Sequence, residues 1–137
     1  MRISDVMTRD VQSVTPQHSI RDAASLMARI DSGALLVHEN DRLVGMLTDR
    51  DIAIRAVAAG RDGQTAVADV MTRGVRYCFA DEEVGHVARN MADIQVRRLP
   101  VLDREKRLVG VVSLGNIAAL DEPRSSNTLL RGVAKAH

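Results

Sequence analysis

The 137-residue sequence predicts a mixed α/β fold made of two copies of one β-α-β-β-α plan. Two internal matches and one pattern carry that prediction. The stretch Arg-Leu-Val-Gly-Met-Leu-Thr-Asp-Arg-Asp-Ile-Ala at 42–53 returns as Arg-Leu-Val-Gly-Val-Val-Ser-Leu-Gly-Asn-Ile-Ala at 107–118, 65 positions later. Asp5-Val6-Met7-Thr8-Arg9 returns as Asp69-Val70-Met71-Thr72-Arg73, at a displacement of 64. One added residue in 103–106, relative to 39–41, accounts for the change of displacement. Between the matches, apolar residues at helical spacing alternate with short apolar runs bounded by turn residues, as expected of helices and buried strands in alternation.

Taken in order, Ile3, Val6 and Met7 mark a short helical lead-in, and 11–14 reads as extended. Pro16 forces Thr15 out of helical geometry. Ser19 caps a helix in which Ile20, Ala23, Ala24, Met27 and Ile30 share one face, and Gly33 closes it. Residues 34–37 and 43–47 are short strands joined by a polar hairpin turn at 39–42. A helix over 49–59 follows, stopping at Gly60. The second copy repeats this plan: a lead-in at 67–71, an extended stretch at 76–79, a helix over 82–94, strands at 99–102 and 108–112, and a last helix over 113–120. The domain plan is therefore repeat 1 at 1–60, a polar linker at 61–66, repeat 2 at 67–121 and a tail at 122–137. Leu129, Leu130 and Val133 give the tail helical spacing. Each repeat is near the lower size limit for a self-sufficient core, so the two are expected to pack together.

The chemistry-bearing stretch is the corner where the strand at 43–47 runs into the next helix. Thr48 can accept a bond from a free amide of the first helical turn, and Asp51 follows three residues on, where a carboxylate suits the positive end of the helix. Gly45, just upstream, allows another backbone or a ligand to come close. Such a corner can hold a polyol, since carboxylate oxygens accept from vicinal hydroxyls. It can equally be a capping box without a ligand.

With these residues in view, the chain resembles a tandem pair of cystathionine-β-synthase (CBS) domains, a Bateman module. The resemblance rests on the Asp-Val-Met-Thr openings, Ser13-Val14-Thr15-Pro16, Arg98-Leu99-Pro100-Val101 and Gly45-Met46-Leu47-Thr48-Asp49-Arg50-Asp51, and covers about residues 1–120. It implies an α/β (α+β) fold in which pseudo-twofold-related repeats pack through their sheets and leave clefts that take AMP, ADP, ATP or S-adenosylmethionine as regulatory ligands. It further implies that Asp51 accepts from ribose hydroxyls, that Thr48 contacts ribose or phosphate, and that Val14 and Thr15 line the adenine. Arg97 and Arg98 would reach towards phosphate, as arginine forks suit its oxygens. As a solvated strand entry the same two residues need no ligand. In repeat 2, Ser113 and Asn116 stand where repeat 1 has Thr48 and Asp51, so charge is lost at the ribose position. One competent site per chain is expected, at Thr48 and Asp51, with the site at Ser113 and Asn116 weak or empty. The resemblance also implies a homodimer built through the apolar helix faces and a signal passed to a downstream protein. The alternative is a ligand-free dimeric scaffold.

Composition narrows the remaining classes. Nineteen basic and 18 acidic side chains are interspersed, and a single tyrosine and a single phenylalanine supply the aromatic area, so neither nucleic acid nor an anionic membrane has an electrostatic claim on this chain. No apolar run approaches a membrane span or a signal peptide core, which makes a cytoplasmic setting the expectation. Cys78, alone and set in Tyr77-Cys78-Phe79, reads as a small core residue. The four histidines lack metal-site spacing, and no nucleophile–base arrangement or Walker loop is present, so enzymatic activity and a metal site are not expected.

Overall fold

The computed structural model describes residues 1–120; the helical spacing noted at 129–133 lies outside them. The elements are β1 (Ser13–Val14), α1 (Ile20–Ile30), β2 (Ala34–Glu39), β3 (Arg42–Thr48), α2 (Asp49–Asp51), β4 (Cys78–Phe79), α3 (Val84–Ile94), β5 (Arg98–Leu102), β6 (Leu108–Ser113) and α4 (Leu114–Ala118). Single 3-10 turns form at Ile3–Asp5 and Val67–Asp69. The predicted α+β repeats are present as two three-stranded sheets, ordered β1-β2-β3 and β4-β5-β6. In each, the first pair is parallel and the second is an antiparallel hairpin.

The compact units do not coincide with the sequence repeats. The first unit is Gln12–Val75, and the second joins Met1–Val11 to the described residues from Arg76 to Leu120. Each repeat's lead-in thus completes the core of the other. Val67, Val70 and Met71 are buried with Val14, Ile20, Met27, Val37 and Leu47. Ile3 is buried with Val84, Val87, Met91, Val101, Val112 and Ile117. The lead-ins also close the outer edge of each hairpin. Thr72 and Met46 exchange both backbone hydrogen bonds at 2.8 and 2.9 Å, as do Thr8 and Val111. An edge strand left bare would be a template for unwanted pairing, so this cover has a purpose beyond burial.

That cover explains the repeated glycine of the Leu-Val-Gly motif. A Cβ at Gly45 would lie 2.8 Å from the Thr72 carbonyl oxygen, and one at Gly110 would lie 2.8 Å from that of Thr8. The close approach anticipated at Gly45 is therefore by backbone, from the exchanged lead-in.

Three local expectations are corrected. The left-handed residue that ends α1 is Asp31 (φ 53°), not Gly33, just as Gln95 (φ 56°) ends α3. The hairpin turn tightens to Asn40 and Asp41, both at positive φ as a two-residue type I′ turn needs, which lengthens both strands. The helix expected over 49–59 is α-helical only through Asp51 and continues as a π-helix over Ile52–Val57. There Ala58 N–H bonds back to the Ala53 carbonyl, five residues earlier.

Cys78 is buried as expected, and burial, with the Glu82 charge second, pushes its thiol up to about 12. The unfolded chain releases that proton near the ordinary thiol value of 9.0 while the folded chain holds it. Unfolding is therefore favoured progressively as pH rises above 9. Below that range a thiol reagent should label the folded protein only through unfolding events; a labelling rate indifferent to added urea would contradict this.

Candidate functional site

The corner at Thr48 forms because β3 ends where Asp49 N–H donates to the Gly33 carbonyl (2.8 Å), turning the chain into α2. Thr48 is the N-cap. Its Oγ1 accepts from Asp51 N–H at 3.0 Å, and Asp51 Oδ2 accepts from Thr48 N–H at 3.0 Å. This reciprocal capping box, of the kind that contributes on the order of 1 kcal/mol, holds both side chains in place. The Asp51 side chain is only 14% exposed, and its Oδ1 faces Arg55 Nε at 3.9 Å, too far for a hydrogen bond. Oδ1 thus keeps accepting capacity for hydroxyl donors.

Arg55 is a member of this corner that the motif alone did not single out. Its Nη1 donates to the Val70 and Met71 carbonyls at 3.3 and 3.1 Å, tying α2 and the π-helix to the exchanged lead-in. Its spacing of four from Asp51 is the signal by which it was readable.

The matching corner in the second unit is spent on itself. Ser113 caps α4, accepting from Asn116 N–H at 3.1 Å. Asn116 Oδ1 accepts from both the N–H and the hydroxyl of Ser113, each at 2.9 Å. Its amide nitrogen donates to Thr8 Oγ1 at 3.4 Å, fastening α4 to the lead-in. Arg98 pairs with Ser113 across the β5–β6 ladder, and the Arg97 carbonyl accepts from Leu114 N–H at 2.8 Å. The structure therefore gathers Arg97, Arg98, Ser113 and Asn116 at one corner, and Thr48 and Asp51 at the other.

Val14 and Thr15 stand apart from Thr48 within the first unit. Val14 pairs with Val37 and Thr48 with Ala34, on opposite edges of the sheet. Two strand spacings and three residues separate them, on the order of 14 Å. Val14 is buried, and Thr15 N–H donates to His18 Nδ1 at 2.9 Å. The second unit closes the same turn differently, with Phe79 N–H donating to Glu82 Oε1 at 2.9 Å.

Two sheets of this topology, each ending in a hydroxyl-capped helix, repeat at the spacing of the sequence duplication. Residues 3–57 match the family described as CBS domain, and residues 67–122 match it again. The chain belongs to the CBS domain family. The CBS domain-containing protein YhcV of Bacillus subtilis (strain 168) is 45% identical over 116 residues, 85% of this chain and 82% of its own length. Among solved structures, CBSX2 in complex with AMP has a TM-score of 0.73 at 26% identity, covering 86% of this chain and 93% of that one. The CBS domain pair of MJ0100, solved with 5′-methylthioadenosine and S-adenosyl-L-methionine, gives 0.70 at 28% identity, over 87% and 98%. The tandem CBS pair read from the repeat is thereby established. Among the described residues no three His, Cys, Asp or Glu side chains group as metal ligands, and no helix is long and apolar enough to cross a membrane.

Proposed function

We propose that this CBS pair is a cytoplasmic regulatory module without enzymatic activity of its own, binding an adenine nucleotide or adenosine derivative at the Thr48–Asp51 corner and passing a conformational signal to a protein partner. The observation that carries the reading is the unequal commitment of the two corners. Asp51 retains an accepting oxygen, whereas every polar atom of the Asn116 amide is engaged by Ser113 or Thr8. The adenosine class is supported by the ligands of the CBSX2 and MJ0100 structures. Asp51 would accept from the ribose hydroxyls beside Thr48. The Val14–Thr15 segment of the same unit would line the base; Arg97 and Arg98 belong to the corner of the second unit, beside Ser113 and Leu114.

A ligand that binds one arrangement better than another biases the fold towards it. At a hundredfold excess over its dissociation constant, such a ligand stabilises by about 2.7 kcal/mol. The apolar faces of α1 and α3 are taken up by their own cores, so the output would travel through the exposed Ile54 and Val57 of the π-helix, where a second copy or a partner would dock.

The test is a thermal-shift series with AMP, ADP, ATP, S-adenosylmethionine and guanine nucleotides. At least one adenine ligand should raise the melting temperature by several degrees. Asp51→Asn should abolish most of that rise while leaving the unliganded melting point nearly unchanged, because asparagine can keep the Thr48 N–H bonded, as Asn116 does for Ser113. A full response in Asp51→Asn would move the site elsewhere.

A second reading, the ligand-free dimerisation scaffold, is favoured by one specific feature. Ile54 and Val57 on the π-helix are 55% and 68% exposed, an apolar surface suited to self-association. No shift with any nucleotide, in phosphate-free buffer, would leave that reading in place of the sensor.

A further inference from the structure

A cleft of ≈ 300 Å³ in the first unit shares Val14 with the segment proposed to line the base but lies away from Thr48 and Asp51 in the sheet, and its charged groups have no part in that reading. It is lined by Val14, His18, Asp22, Ser25, Leu26 and Arg29, with Ser13 at its margin. Asp22, Ser25, Leu26 and Arg29 fall at i, i+3, i+4 and i+7, so one stripe of α1 forms a wall, and His18 continues it a turn earlier.

The charged groups of this wall are unspent. Neither the Asp22 carboxylate nor the Arg29 guanidinium has a hydrogen bond or ion pair among the described residues; Asp22 contributes only its backbone N–H, to the Ser19 cap. Seven residues of helix place them about 10.5 Å apart along its axis, which is far for mutual neutralisation. His18 accepts from Thr15 N–H through Nδ1, so the neutral ring carries its proton on Nε2 and can donate. Val14 and Leu26 supply apolar surface between the charges.

The corresponding stripe of the second unit is closed by its own side chains. His86 Nε2 lies 3.4 Å from Glu82 Oε2 and 3.3 Å from Asn90 Nδ2. Duplication has therefore produced one stripe whose groups satisfy one another and one whose opposite charges are left apart over a cavity.

We propose that the α1 cleft binds a small zwitterion whose ammonium and carboxylate are separated by a chain of several atoms, a dipeptide or an ω-amino acid. The ammonium would pair with Asp22, the carboxylate with Arg29, and the aliphatic middle would lie on Leu26 and Val14. An α-amino acid is a poorer fit, because its two charges sit on adjacent carbons and cannot reach both ends. A volume of ≈ 300 Å³ is at the small end of ligand pockets, which suits a molecule of that size.

The experiment is an amide chemical-shift titration of the full chain with glycyl-leucine and with 6-aminohexanoate, using hexanoate and hexylammonium as single-charge controls. Both zwitterions should give saturable shifts confined to residues 13–29, and each control should bind several-fold more weakly. Asp22→Asn and Arg29→Gln change exposed side chains and should leave the fold intact, each weakening the zwitterions by up to about fivefold, the range of a partly exposed ion pair. Both variants should keep whatever nucleotide response the Asp51 corner shows, so the two sites fail or succeed separately. Shifts that do not saturate, affinities equal for zwitterion and control, or perturbations centred on Thr48 and Asp51 would each overturn the proposal.

Discussion

Ile3→Ala should lower the unfolding free energy by about 3 kcal/mol, as large a loss as any core truncation in this chain. Position alone argues the opposite, since chain termini are usually loosely held and tolerant of change. Ile3, however, is fully buried, among Val84, Met91, Val112 and Ile117, which are made some 80 to 110 residues later. Its neighbours are fixed by backbone hydrogen bonds from Ile3 N–H to Glu82 and from Ser4 N–H to Ala80, both at 2.9 Å. The vacated space therefore cannot easily collapse. Tyr77, the single tyrosine and a member of the same unit, offers a local fluorescence probe for urea unfolding. The midpoint should fall sharply in Ile3→Ala and move by less than about 0.5 kcal/mol equivalent in the exposed Val57→Ala. Equal midpoints for Ile3→Ala and wild type would refute the exchange of lead-ins.

Gly110→Ala should cost about 2 kcal/mol through crowding rather than through a cavity. The new methyl would meet Met7 Sδ at 2.7 Å and the Thr8 carbonyl oxygen at 2.8 Å. The methionine can swing aside, but the carbonyl cannot move without loosening the two-bond pairing of Thr8 with Val111. Gly115 provides the control. A methyl there meets only Ser113 Oγ, at 3.6 Å, so Gly115→Ala should be neutral or stabilise α4 by up to about 1 kcal/mol. Thermal unfolding of the two variants side by side decides the matter: similar midpoints would mean that the lead-in yields without penalty.

Much of the fold was legible because its signals are local. Ser19 and Thr48 announced helix starts by side-chain chemistry, and both accept the predicted backbone bond; Ser113, read as the first residue of its helix, caps it in the same way. The duplication then made every element visible twice, and the one-residue change in displacement marked the longer second hairpin turn, which Asp103 organises by accepting from Glu105 and Arg107 N–H. Arg107, again four residues on, completes that turn with an ion pair at 2.9 Å.

What stayed hidden depends on distance along the chain. A repeat tells which segments are alike, not which half each one packs into, so the exchange of lead-ins could not be read from Asp-Val-Met-Thr. The π-winding after Asp51 was equally silent, because the same residues favour an α-helix and nothing in Ile52–Val57 marks a wider turn. At the candidate site, the loss of charge at Asn116 was visible as a substitution. Its bond to Thr8, 108 residues away, was not, and that bond is what shows the amide to be occupied.

The exchange of lead-ins has a consequence for how the protein is made. As the nascent chain leaves the ribosome, residues 12–60 cannot finish their core until Val67, Val70 and Met71 have followed. Residues 1–11 must wait longer, until the strand carrying Val111 has been synthesised. At about 5–20 residues per second, this segment spends on the order of 5–20 s without its seat. A product translated only as far as the first hairpin thus carries residues 1–11 unseated, with Ile3 open to a chaperone or a protease.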